Sequence, residues 1–261
     1  MGGMRLSTTE TSGRSLDDRL TELAEACRIL AMEGHGNMTL GHLSIRDPDG
    51  RGAWIKRRGI SLAEVGGPDD FLLVGYDGKV SAGSRARHDE WPIHTEIYRV
   101  RPEIQSVAHT YPFSASVIGA TAAPIAAVTR EACYFEGRVA RYSVTSNLIS
   151  TTELGRGLAE ALGPHYAVLM HNHGAAFCGR NIAECVVVGV MLERVCKALV
   201  ALNASGLDWS QAREVEEMQP AVGLIPEHET ARFWNYYRRK LARMASRTEA
   251  QVARQSTRNV V

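Results

Sequence analysis

Apolar residues return at helical spacing across residues 16–32, at Leu20, Leu23, Ala24, Cys27, Leu30 and Ala31, which predicts an amphipathic helix ended by Gly34. The period then shortens. Residues 43–46, closed by Asp47-Pro48-Asp49-Gly50, and 53–55 read as a strand pair, and 71–74 with 79–82 as a second pair around Tyr76-Asp77-Gly78. Residues 87–100 predict a helix with Pro92 in its first turn, where a missing N–H is tolerated. A short apolar strand is expected over 104–109, then a helix of small residues from Pro112. Further strands are expected at 142–144 and 167–170, with a helix over 150–162 between them. Long helices follow over 181–202 and 231–244, and the final polar residues read as a tail. Hairpin strands with segregated helices predict one α/β or α+β domain built on a mainly antiparallel sheet.

Composition narrows the function classes. The formal net charge is +1, so no global basic field argues for nucleic acid. The 181–202 stretch carries Glu184, Glu193, Arg194 and Lys197, too many charges for a membrane span. The five cysteines are odd in number and form no CxxC, and the N-terminus has no signal-type apolar core, so a reducing, cytoplasmic setting is expected. GxGxxG and GxxxxGK[ST] are absent, which leaves dinucleotide and P-loop readings without support.

Chemistry concentrates in two stretches. Glu96 lies on the helix over 87–100, His109 ends the strand over 104–109, and His171-Asn172-His173-Gly174 follows the strand over 167–170. Imidazoles at strand ends with a nearby carboxylate can share a divalent cation, or can be satisfied structural histidines; the spacing decides neither. Lys56-Arg57-Arg58-Gly59 is likewise a solvated turn or an anion site.

Taken in order, GHGNMTLGHLSIR, HTEIY, RPEIQSVAHTYP and NHG resemble the class II aldolase/adducin family over about residues 16–225. The resemblance implies an α/β/α-like single domain, preceded by a flexible segment over 1–15 and followed by a C-terminal helix and tail over 226–261. It implies a homotetramer with metal sites near subunit interfaces. In the family's sugar-phosphate aldolases both histidines of an HTH motif and that of NHG hold zinc, and an upstream acid is the base. Carried over, Glu96 is the acid, and His109 and His173 are ligands. Tyr111 stands at the second ligand position; either it coordinates, or His171, Glu96, a water or a substrate oxygen takes the place, or the metal is lost. That change moves the expected metal from Zn(2+) towards Mn(2+), since phenolate oxygen suits a harder ion.

The phosphate cradle is altered too. His42 occupies a catalytic position resembling the decarboxylase branch, and Ser84, Arg57, Arg58, Arg85 and Arg87 are expected to bind substrate carboxylates. The resemblance therefore implies metal-dependent decarboxylation of a hydroxylated aromatic or pyridine dicarboxylate, with 3-hydroxy-2-methylpyridine-4,5-dicarboxylate of vitamin B6 degradation as the expected substrate. The alternatives are an aldolase or epimerase acting on a sugar phosphate, and a non-enzymatic adducin-like assembly module.

Overall fold

The computed structural model describes residues 14–258. The expected flexible segment therefore lies almost wholly outside the described residues. Helix α1 (Leu16–Leu30) starts at Ser15, whose hydroxyl accepts from the Asp18 N–H while the Asp18 carboxylate accepts from the Ser15 N–H. One wide turn, Ala31–His35, closes it where Gly34 takes a positive φ of 90°. The strands β1 (His42–Arg46), β2 (Gly52–Lys56), β3 (Phe71–Gly75) and β4 (Val80–Ala82) form the expected hairpins. Next come α2 (Trp91–Val100), β5 (Ser106–Thr110), α3 (Phe113–Gly119), β6 (Ala140–Tyr142) and α4 (Thr152–Leu162). The chain continues through β7 (Ala167–Met170), β8 (Gly174–Gly179), α5 (Ile182–Ser205), the short α6 (Val215–Met218) and α7 (Glu227–Arg258).

These strands make one sheet in the order β4-β3-β2-β1-β5-β8-β7-β6. Every pairing is antiparallel except β6 with β7. Helices α1, α3 and α5 pack on one face, with α7 outside them, and α2 and α4 pack on the other. The α/β domain with a flanked, mainly antiparallel sheet is as the sequence implied.

Strand β8 was not anticipated. Its residues, GAAFCG, alternate nothing, because both faces of a central strand are covered and all six positions are buried. Helix α7 also exceeds the expected amphipathic stretch, and the residues read as a tail continue it to Arg258. All five cysteines are buried and free. Among the described residues, no helix is long and apolar enough to cross a membrane.

Candidate metal centre

Strand pairing brings the first two histidines together. His42 of β1 is the direct antiparallel partner of His109 of β5, so both rings leave the sheet on the α2 face, 5.3 Å apart. The next residue of β5, Thr110, points the opposite way and meets His35 Nδ1 at 2.8 Å.

His173 arrives from the tight turn joining β7 to β8. Asn172 adopts a left-handed φ of 55°, and Gly174 a φ of 92°. A Cβ at Gly174 would stand 2.5 Å from the Thr110 carbonyl oxygen, so only glycine lets this turn close against the end of β5. The His173 ring then lies 5.1 Å from that of His109.

The carboxylate that completes the cluster is Glu90, immediately before α2. Pro92 sits in the first turn of that helix, as expected, and α4 presses on it so closely that a Cβ on Gly155 would be 2.7 Å from the Pro92 Cβ. The segment leading into α4 thereby delivers the Ile149 N–H to Glu90 Oε1 at 2.9 Å. Glu90 Oε1 is 3.3 Å from His173 Nε2, and Oε2 is 3.6 Å from His109 Nε2 and 3.8 Å from His42 Nε2. Ligand atoms of Glu90, His109 and His173 lie within 4.8 Å of one another, and all three residues are buried.

Glu96 does not reach this cluster. Six residues further along α2 is a turn of about 240° about the axis, and its carboxylate pairs with Arg99 at 3.3 Å. The Arg99 guanidinium in turn lies over the Tyr76 ring. The two histidines do come together with a carboxylate, but it is Glu90 and not the expected Glu96. The sequence offers Glu90 and Glu96 alike, six residues apart, and only the packing of α2 separates them.

Tyr111 is in place. Its hydroxyl is 3.4 Å from Glu90 Oε2 and 3.3 Å from His173 Nε2. Burial, and after it the Glu90 charge, push the phenol above its ordinary range, so it stands there as a neutral hydroxyl. His171 is half-buried and is not among the residues whose ligand atoms come together, which are Glu90, His109 and His173 among the described residues.

The donor set fits a divalent cation. His109 Nδ1–H donates to the Ala175 carbonyl at 3.0 Å, which fixes the tautomer and leaves Nε2 with a lone pair. That buried Nε2 has no hydrogen-bond partner among the described residues. Burial alone would raise the Glu90 carboxyl, but His109, the Ile149 N–H, His173 and the Tyr111 hydroxyl outweigh it and hold Glu90 below the usual carboxylate range. Burial also lowers His173, keeping its imidazole neutral and able to coordinate.

The residues expected to bind substrate are spread over loops flanking His42 and His88. Arg57 is tied to Asp70 at 2.7 Å and Arg58 to Asp89 at 2.9 Å. Arg87 donates to the Gly78 carbonyl and lies over the Trp91 ring. Ser84 and Arg85 are exposed, and Arg85 has no ion-pair partner among the described residues. The Arg58 N–H bonds the Ala86 carbonyl, holding the two loops together. His88, which the sequence left unassigned, packs tilted against His42 with ring centroids 4.4 Å apart, and its Nε2 is unpartnered among the described residues.

A cleft of about 640 Å³ reaches the cluster, lined by Asn37, Tyr111, Phe113, Asn172 and His173 among others. A second cavity of about 390 Å³ lies where α1, α5 and α7 meet and touches none of the histidines.

A family model for the class II aldolase and adducin N-terminal domain matches residues 21–200. The chain belongs to this family. It is 29% identical over 233 residues to a 3,4-dihydroxyphthalate decarboxylase of Rhodococcus jostii, covering 80% of this chain and 93% of that protein. It is 28% identical over 189 residues to the meiotically up-regulated gene 14 protein of Schizosaccharomyces pombe, covering 71% and 73% of the two chains. Among solved structures, an aldolase II superfamily protein from Pseudomonas syringae superposes with a TM-score of 0.78 at 24% identity, over 89% of this chain and 96% of that one. An L-fuculose 1-phosphate aldolase from Glaciozyma antarctica gives 0.76 at 23% identity, over 92% and 95%. These likenesses share the fold described above.

Proposed function

We propose that this protein is a divalent-metal-dependent decarboxylase of a hydroxylated aromatic diacid. The observation that carries the reading is the buried, unpartnered Nε2 of His109, held facing Glu90 and His173 by its bond to Ala175. Similarity to dihydroxyphthalate decarboxylases over most of their length supports the choice of reaction. Glu90, His109 and His173 would hold the ion, with Tyr111 beside them. The mixed oxygen and nitrogen set suits Mn(2+), with Zn(2+) as the second candidate. When bound, the ion supplies Lewis acidity towards negative charge that develops on substrate oxygens.

The chain's own groups account for the protons. Glu90 takes the proton of the ring hydroxyl as substrate binds. The bond from ring carbon to carboxylate breaks, its electron pair stays on the ring carbon, and CO₂ leaves. Glu90 then returns its proton to that carbon, and solvent protonates the phenolate of the product. Arg85, with Ser84 beside it and Arg58 on the adjoining loop, receives the second carboxylate; Arg57 and Arg87 are held in structural contacts and brace those loops. Phe113 (75% exposed) and Val117 line the cleft, and Met38 (76% exposed) follows its lining residue Asn37. A second copy of the chain covers this apolar rim in a homotetramer.

The test is CO₂ release from a panel of dihydroxyphthalates and 3-hydroxy-2-methylpyridine-4,5-dicarboxylate with Mn(2+) present. A dihydroxyphthalate is expected to be the better substrate. No CO₂ from any of them, with an aldehyde formed from a sugar phosphate, would replace this reading with an aldolase.

A further inference from the structure

Behind His42 runs a buried chain of hydrogen bonds that the proposed reaction leaves unused. His42 Nδ1 is 2.6 Å from His94 Nε2, His94 Nδ1 is 2.7 Å from Ser44 Oγ, and Ser44 Oγ is 2.8 Å from the Tyr98 hydroxyl. None of the four residues exceeds 1% exposure, so no bulk water completes their bonding. Two elements match to make the chain. His42 and Ser44 are two apart on β1, a step of about 6.6 Å, and His94 and Tyr98 are four apart on α2, a rise of about 6 Å. The two pairs therefore interlock rung for rung.

A chain of this kind admits two directions for its protons, and the far end selects one. The Tyr98 hydroxyl makes its hydrogen bond to Ser44 Oγ. Burial holds that phenol protonated far above neutral pH, so it has a proton to place. If Ser44 donated to Tyr98, the phenolic proton would be buried without an acceptor among the described residues, a costly state. Tyr98 therefore donates to Ser44. The Ser44 proton goes to His94 Nδ1 at 2.7 Å in preference to the Val107 carbonyl at 3.4 Å. His94 must then carry its own proton on Nε2 and donate it to His42 Nδ1. What remains at His42 is an N–H on Nε2, the atom 3.8 Å from Glu90 Oε2.

We propose that Tyr98, Ser44 and His94 are positioning residues that hold His42 as the tautomer protonated on Nε2, so that His42 offers the metal cluster and its substrate an N–H donor and not a further metal-binding lone pair. His42 thereby hydrogen-bonds a substrate oxygen beside Glu90. The order of bonds, not the mere presence of polar groups, sets this role. The catalytic half of the claim rests on the decarboxylase reading; the tautomer does not.

The test combines nitrogen-15 histidine NMR of the metal-free protein near pH 8 with turnover of the Mn(2+)-loaded protein. In the wild type, His42 and His94 are both expected as the Nε2–H tautomer. Tyr98→Phe, or Ser44→Ala if that variant does not fold, is expected to turn His42 into a mixture of tautomers. His94→Gln preserves the bond order, because its amide N–H can donate to His42 while its carbonyl accepts from Ser44. It is expected to keep kcat within about threefold, whereas His94→Leu loses about a hundredfold in kcat with KM little changed. An Nδ1–H tautomer at wild-type His42, or a Gln variant as impaired as the Leu variant, would overturn the proposal. Absence of CO₂ release from every substrate, with His42 still protonated on Nε2, would defeat the decarboxylase reading and leave the tautomer assignment standing.

Discussion

Two buried acids, one capping helix α2 and one within it, have opposite fates. At the helix start, Glu90 faces His109, His173 and Tyr111 and accepts the Ile149 N–H. In its middle, Glu96 is equally buried, yet turns to Arg99 on the side where Tyr76 lies. Burial alone does not separate them. Glu90 has imidazoles and hydroxyls around it and no guanidinium or ammonium ion pair among the described residues, whereas Glu96 already has Arg99. A carboxylate is available for metal or proton chemistry when its neighbours do not neutralise it.

The largest expected effect breaks this contrast outright if it is false. Glu90→Gln or His109→Ala should weaken Mn(2+) binding at least about a hundredfold by titration calorimetry, while Glu96→Gln should change it less than about threefold. Turnover should follow, with kcat falling about a hundredfold or more for Glu90→Gln and little for Glu96→Gln. Equal losses at both positions would mean the two ends of α2 do not differ as described.

Acid stability sharpens the same contrast between neutral and paired groups. Burial pushes His35 and His88 down to about 3. In the unfolded chain such histidines titrate near 6.5, so on acidification the unfolded state binds protons first. The sign is therefore a loss of stability as pH falls below about 6.5, continuing to about 3. Each of these histidines should cost up to about 2 kcal/mol between about pH 7 and about pH 5 in the metal-free protein. Urea unfolding across that range measures it, and a midpoint independent of pH would contradict the burial of neutral imidazoles.

The smallest effects concern the arginines. Arg85→Ala should raise KM about tenfold with kcat nearly unchanged, because its guanidinium is free to meet substrate. Arg57→Ala should instead lower stability by about 1 kcal/mol by releasing Asp70. The reverse pattern would exchange their roles.

Much of the scaffold was legible in the sequence because its elements carry their own punctuation. The Asp-Pro-Asp-Gly turn, Pro92 at the start of a helix and the Asn172–Gly174 turn each appear where the structure uses them. His109 and His173 were legible for the same reason, as polar residues ending apolar strands. Strand β8 was not, since a strand buried on both faces has no alternation to read. Nor was Glu90. Choosing between two acids on one helix requires knowing which side of α2 meets β5, a fact of tertiary packing. The relay from Tyr98 to His42 was hidden likewise, although its spacings, two on a strand and four on a helix, were present in the sequence.

The most direct test of the central claim is an anomalous-difference map of crystals grown with Mn(2+). The account predicts one strong peak per chain bound by Glu90, His109 and His173, with Glu96 still paired to Arg99. A map with no peak between those three residues, or with the ion on Glu96, would contradict it.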